Sequence, residues 1–198
     1  MITTIIFALS EVYLHGMFGI EQVIEELVGM PVSNDSLHST TEAEKFFHGQ
    51  ITEAAFWRAL IQKHHWPITV TELKKLIRAH MTEIDGTRAI IEKLKENGYK
   101  LGLLSVHTKE WVEHCETKFG YHQLFQSVMY SFEVGLSKPD PKAFELVLEK
   151  LQAKPAECLF IDDSERNVQA AQQLGMQAIQ FQDPQQLEQE LKQLQIRL

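Results

Sequence analysis

The sequence predicts an α/β protein in which a parallel, doubly wound sheet is interrupted by a long all-helical insertion. After Asp85-Gly86, short apolar runs alternate with stretches of helical spacing, which is typical of a parallel sheet with helices on both faces. Between about Phe18 and Met81, apolar residues recur only at helical spacing, so we expect no strand there. A β-branched run at the start of the chain supplies the strand that precedes the insertion.

Five apolar runs are predicted to be the strands, at residues 2–9, 100–105, 127–132, 158–161 and 176–181. The helices between them carry recognisable start signals. Thr69-Val70-Thr71-Glu72 has the form of a capping box, and Asp140-Pro141 pairs an N-cap residue with a proline at the first helical position. We therefore divide the chain into a Rossmann-like core domain, residues 1–14 and 83–198, and an all-helical cap domain, residues 15–82.

Composition excludes several classes of partner. The formal net charge of -8 gives the chain no electrostatic reason to bind nucleic acid or an anionic membrane. No window approaches the roughly 18 apolar residues of a membrane span. The first residues have neither the basic nor the long apolar region of a signal peptide, so we expect a cytoplasmic protein. Cys115 and Cys158 lack a metal-like spacing partner and are predicted to be buried thiols.

Polar residues follow four of the predicted strands: Ser10, Ser105, Lys138 and the pair Asp162-Asp163. The carboxyl ends of parallel strands share one edge of the sheet, where ligands bind. Adjacent carboxylates suit Mg²⁺, and a lysine between prolines could neutralise a bound anion. A purely structural role is also possible for each of these residues. Asp163 or Ser105 could cap the following helix, and Lys138 could be solvated.

Four segments, in order, resemble the haloacid dehalogenase superfamily, in the phosphatase-like branch with a helical cap after the first motif. They are Ile5 to Tyr13, Leu103-Leu104-Ser105, Ser137-Lys138-Pro139-Asp140-Pro141, and Phe160 to Asn167. The segment Phe47 to Thr52, followed by Phe56-Trp57, is similar to a cap of this branch. The resemblance covers essentially the whole chain.

The resemblance implies a Mg²⁺-dependent phosphatase acting on a small phosphorylated metabolite. An aspartate ending the first strand would attack phosphorus, and water would hydrolyse the aspartyl-phosphate. Asp163 would ligate the metal, with Asp162 beside it or acting through water, and Ser10 would lend its backbone carbonyl. Ser105 and Lys138 would bind the transferring phosphoryl group, next to Val106.

The first motif departs from the family pattern, because Ala8 occupies the nucleophile position. A methyl group can neither attack phosphorus nor bind a metal, so we expect weakened Mg²⁺ binding and no turnover. Ser10 replaces the second acid and is a poor proton donor, and Val106 stands where asparagine is common. Either catalysis was lost while the pocket was kept, or alanine is a change in an otherwise working enzyme. A shifted register that takes Glu11 as the nucleophile would put the residues after it out of phase with the family pattern.

Three other functions are compatible with the sequence. A non-catalytic binding or regulatory module could sense a phosphorylated ligand through the same pocket. A true dehalogenase also needs the missing aspartate but no metal, so Asp162-Asp163 argues against it. A purely structural role is the third. His107, close to Ser105, is a further candidate for contact with substrate.

Overall fold

The structure, a computed structural model, describes residues 1–16 and 19–198. Its strands form one five-stranded parallel sheet in the order β3-β2-β1-β4-β5, which confirms the predicted fold class. The strands are β1 (Thr4–Phe7), β2 (Lys100–Ser105), β3 (Ser127–Tyr130), β4 (Cys158–Asp162) and β5 (Gln177–Gln180). The helices are α1 (Ile20–Val28), α2 (Asn34–His38), α3 (Thr41–Phe47), α4 (Glu53–His64), α5 (Val70–His80), α6 (Thr87–Glu96), α7 (Lys109–Phe119), α8 (Ser131–Val134), α9 (Pro141–Leu151), α10 (Glu165–Gln173) and α11 (Pro184–Gln193).

The central strand β1 is buried on both faces, as its uninterrupted apolar sequence predicts. Successive side chains alternate between the faces, and two hydrophobic clusters result. Ile5 packs in the larger cluster, and Ile6 packs in the smaller one with Phe144 and Phe160. In register, Ile5 lies opposite Leu101 of β2 and Leu159 of β4, so equivalent positions of three strands end at the same edge.

Two predicted strands end two residues earlier in the structure. The strand predicted over 127–132 stops at Tyr130, and Ser131 opens the short helix α8. There the Ser131 hydroxyl donates to the carbonyl of Phe47 at 2.6 Å and accepts the N–H of His107 at 3.1 Å, which draws the chain away from the sheet. The first strand spans Thr4–Phe7, although the N–H of Ala8 still donates to Ile161 at 2.8 Å.

Helices α1 to α5 follow one another between β1 and α6, and residues 19–80 contain no strand, as predicted. The capping box at Thr69 is present, with Glu72 bonded back to the Thr69 N–H at 2.8 Å. The helix start expected near Phe18 lies outside the described residues, and α1 begins at Ile20. The helical segment packs directly on α7 of the core, where Phe46 and Trp111 meet edge to face at 5.1 Å. The division at residues 15 and 82 stays a prediction.

Both cysteines are buried and unpaired, which confirms the prediction for Cys115 and Cys158. Across the described ranges 1–16 and 19–198, no helix has the length and apolar character needed to cross a membrane.

Candidate functional site

The sheet brings three of the predicted site positions to one edge. Ala8 directly follows β1, Ser105 ends β2 and Asp162 ends β4, and these are neighbouring strands. The order of the strands reverses at β1, which places the group at the topological switch point of the sheet. Ala8 is only 2% exposed, so its methyl group is buried at this strand end.

Lys138 and Asp162 form a buried ion pair beneath the site. Their side chains are 5% and 0% exposed, and the Lys138 ammonium donates to Oδ2 of Asp162. The Oδ1 atom accepts the N–H of Ser164 at 2.9 Å and the Asn167 amide at 2.9 Å. Asp162 therefore has both oxygens occupied by protein groups. The helix-start role considered for Asp163 is not observed, because the N-cap of α10 is Ser164 and it makes no side-chain cap hydrogen bond.

Asp163 is the carboxylate of the pair that faces open space. Burial and the nearby charge of Asp162 raise the pKa of Asp163 to about 6, although Lys138 acts in the opposite direction. The two adjacent aspartates, which look equivalent in the sequence, thus have different environments. Asp162 is locked to a lysine, and Asp163 is available to a ligand.

A cavity of about 650 Å³ lies above this edge, between the core and the helical segment. Its core wall consists of polar and charged residues together with one valine: Ser10, Glu11, Val106, Asp163, Ser164 and Arg166. The helical segment contributes Asn34, His38 and Phe47. Three predicted site residues, Ser10, Val106 and Asp163, therefore line one cavity.

Other predicted residues lie below the cavity surface. Ser105 is 3% exposed, and its hydroxyl makes a long 3.5 Å contact with the Val106 carbonyl. It does not cap α7, whose N-cap residue is Thr108. His107 is also buried and does not line this cavity. Its Nδ1 accepts the Thr108 N–H at 3.0 Å, and burial lowers the pKa of its imidazole to about 4. Nothing in this arrangement supports contact between His107 and a substrate.

The donors facing the cavity fit a loosely held Mg²⁺ but not a fully protein-enclosed metal. Within residues 1–16 and 19–198, no group of three His, Cys, Asp or Glu could hold a metal ion. Asp163 and Ser10 nevertheless line the cavity together, and Mg²⁺ commonly uses one or two carboxylates and keeps several waters. Glu11 also faces this cavity. It has a φ of +57°, and its Oε1 accepts the Gly16 N–H at 2.8 Å.

Sequence reasoning gave no role to Arg166 or Ser164, although both lie in the fourth motif, and it did not single out Asn34 or His38 of α2. An arginine in the first turn of the helix after Asp162-Asp163 is a signal that could have been noticed. Asn34 and His38 carry no such signal, because only the packing of the helical segment on the core brings them to the cavity.

A parallel sheet with a lysine–aspartate pair and a partly exposed carboxylate at its carboxyl edge defines an α/β protein with a polar site at the topological switch point. Residues 20–181 match the haloacid dehalogenase-like hydrolase family, and the chain belongs to that family. The resemblance drawn from the motifs is thereby confirmed. The matching region begins after the first motif and does not include Ala8.

Phosphatases are among the relatives of this chain. Glyceraldehyde 3-phosphate phosphatase of Methanopyrus kandleri is 30% identical over 92 residues, which is 45% of this chain and 39% of that protein. The chain matches less than half the length of this relative. Flavin mononucleotide hydrolase 1 of Arabidopsis thaliana is 26% identical over 62% of this chain and 49% of its own length.

Solved structures confirm the fold. A HAD-like family hydrolase from Porphyromonas gingivalis superposes with a TM-score of 0.79 at 21% identity, covering 100% of both chains. A HAD family enzyme from Bacteroides thetaiotaomicron, in complex with magnesium and inorganic phosphate, gives 0.76 at 22% identity over 92% of this chain and 96% of its own. An aspartate-to-alanine mutant of that enzyme, also with magnesium and phosphate, gives 0.76 at 20% identity over 92% and 95%.

Proposed function

We propose that this chain is a phosphatase-type member of its family that binds a small phosphorylated compound but does not hydrolyse it. The observation that carries the proposal is Ala8. It directly follows β1 and is buried beside β4, the strand that ends in the lysine-paired Asp162 and is followed by Asp163. The surroundings of a phosphoryl site are thus retained around a residue that has no nucleophilic atom.

The residues near Ala8 suit binding better than catalysis. The contact of the Ser105 hydroxyl with the Val106 carbonyl is long, so this hydroxyl can donate to a phosphoryl oxygen instead. Lys138 supplies positive charge beneath the cavity, partly offset by Asp162. Ser10, in the place of a general acid, has a hydroxyl that does not give up a proton readily near neutral pH. These groups can orient a phosphate, but none of them can form the aspartyl-phosphate that the family mechanism requires.

Magnesium is part of this proposal, with Asp163 and Ser10 as its protein contacts. When bound, the ion would neutralise charge between Asp163 and the phosphate. Because alanine removes one carboxylate, we expect weaker binding than in an active relative. The Bacteroides mutant, in which alanine replaces an aspartate, is in complex with magnesium and inorganic phosphate. It supports the idea that magnesium and phosphate can still bind after one carboxylate is lost.

The test compares A8D with A8N and the parent chain, using an aryl phosphate with and without Mg²⁺. We expect no turnover by the parent or A8N, and Mg²⁺-dependent hydrolysis by A8D at least about 10²-fold faster. The A8N variant is the matched control, because its amide has nearly the shape of aspartate but is not a nucleophile. Turnover by the parent would contradict the assignment of Ala8, and Glu11 would then be examined as nucleophile.

A second candidate is a regulatory module that senses a phosphorylated ligand. It is favoured by Asp163, which lines the cavity, together with the buried Lys138–Asp162 pair. It is distinguished by calorimetry of the parent chain with inorganic phosphate and Mg²⁺. If A8D remains inert while the parent chain binds phosphate, the regulatory function becomes the better account. If neither activity nor binding is found, the proposal of a phosphate site is wrong.

A further inference from the structure

Arg166 has an unusual position for a surface arginine. It is the second residue of α10, whose N-terminus carries partial positive charge, and a cation there is electrostatically unfavourable. Helix stability therefore does not explain this side chain. Within the described parts of the chain, no carboxylate forms an ion pair with it.

The cavity gives this arginine a role. Among the described residues that line the cavity, Arg166 is the one with a positive charge at neutral pH, since burial lowers the pKa of His38. Two carboxylates, Glu11 and Asp163, line the same wall. Lys138 lies below the surface and is already paired with Asp162, so it cannot reach a group at the mouth. An anionic group at the mouth would find its positive partner in Arg166.

The strand ends beside the cavity, which we call its floor, bury Ala8, Ser105 and Lys138, none of which is among the described residues that line the cavity. The proposed phosphoryl position lies at this floor. Arg166 is exposed and stands one helical turn beyond Asp163. A guanidinium presents paired N–H groups that match a carboxylate or a second phosphate.

We propose that Arg166 is a specificity-determining residue that binds a second anionic group of the ligand, and that the ligand is a phosphomonoester carrying a carboxylate. The inference rests on the proposed function, because the first anionic group is the phosphate at the floor. It restricts the ligand class from phosphorylated compounds in general to those that carry a second anionic group.

The experiment uses two probes that differ only at the far end. Glycerol 3-phosphate ends in a neutral CH₂OH group, whereas 3-phosphoglycerate carries a carboxylate at that carbon. Calorimetry at fixed, saturating Mg²⁺ measures both, with inorganic phosphate as the probe of the floor alone. We expect 3-phosphoglycerate to bind the parent chain at least about tenfold more tightly than glycerol 3-phosphate.

The R166Q variant should abolish that preference and leave the affinities for inorganic phosphate and glycerol 3-phosphate unchanged. The control R58Q removes the same charge at an exposed site away from the cavity and should keep the preference. The melting temperature of R166Q should stay constant or rise slightly, because the variant removes an unfavourable charge from the start of α10. A loss of stability would indicate a structural role instead.

Other outcomes overturn the inference separately from the proposed function. Equal affinity of the parent chain for the two esters, with phosphate still bound, refutes the second anionic group alone. An equal loss of all three ligands in R166Q would mean that Arg166 contacts the phosphate itself. If the parent chain binds none of the three, the proposed function fails and this inference fails with it.

Discussion

Glu53 is a buried carboxylate that joins two helices of the helical segment to the core. Its side chain is 0% exposed, and Arg78 of α5 donates to both of its oxygens at 2.7 Å. Trp111 of the core helix α7 donates its indole N–H to Oε1 at 2.9 Å. Burial alone would raise the pKa of Glu53, but the hydrogen bonds from Arg78 and Trp111 outweigh it and hold the pKa below its usual value. Glu53 is therefore ionised at neutral pH.

Replacing Glu53 with glutamine keeps the shape of the side chain and removes its charge. Breaking a buried ion pair from one side typically costs about 3–5 kcal/mol. Arg78 is 26% exposed and can regain part of its hydration, so we expect E53Q to lower the free energy of unfolding by about 2–3 kcal/mol. In a chain of 198 residues this corresponds to a fall in melting temperature of about 5–10 °C.

Urea unfolding followed by far-UV circular dichroism measures this loss without relying on the tryptophans at the site. The matched control is E113Q, because Glu113 pairs with Lys109 only at 3.9 Å on an exposed surface. That variant should change stability by less than about 0.5 kcal/mol. The contribution of Glu53 should disappear as the pH falls through its lowered pKa, so parent and E53Q should converge in acid. If E53Q at pH 7 loses no more stability than E113Q, the reasoning is wrong.

Two further perturbations test other parts of the structure. Burial lowers the pKa of His107 to about 4 from an ordinary value of 6.5, so between these two pH values the unfolded chain binds a proton that the folded chain does not. The parent should therefore lose about 2 kcal/mol more stability than H107N between pH 7 and pH 5. Parallel pH profiles of the two proteins would refute that pKa. At Gly49, φ is +70° and an added Cβ would lie 2.7 Å from the Phe132 carbonyl oxygen, so G49A should destabilise the contact between segment and core by about 2 kcal/mol. Gly29 is the control, because its φ is also +70° but no atom would lie within 4 Å of an added Cβ. An equal loss of stability in G29A would show that the clash at Gly49 adds no cost of its own.

The strand order explains why distant motifs could be assigned to one site from the sequence. Hydrophobic runs located the strands, and in a parallel sheet every strand ends at the same edge. Ala8, Ser105 and Asp162 therefore had to lie near each other once β1, β2 and β4 were neighbours. Boundaries were less predictable, because Ser131 leaves the sheet through bonds to Phe47 and His107, which are remote in sequence.

The family and the parallel fold could be predicted from the sequence alone, because periodicity and motif order are local properties of the chain; the vacant nucleophile position at Ala8 stays a prediction. The different environments of the two adjacent aspartates come from the tertiary structure. Asp162 is taken by Lys138 and Asn167 from other elements, whereas Asp163 opens to the cavity. The tertiary structure likewise brought Arg166 to the cavity wall and buried His107. Those outcomes depend on how separate elements pack, and no local pattern of residues encodes them.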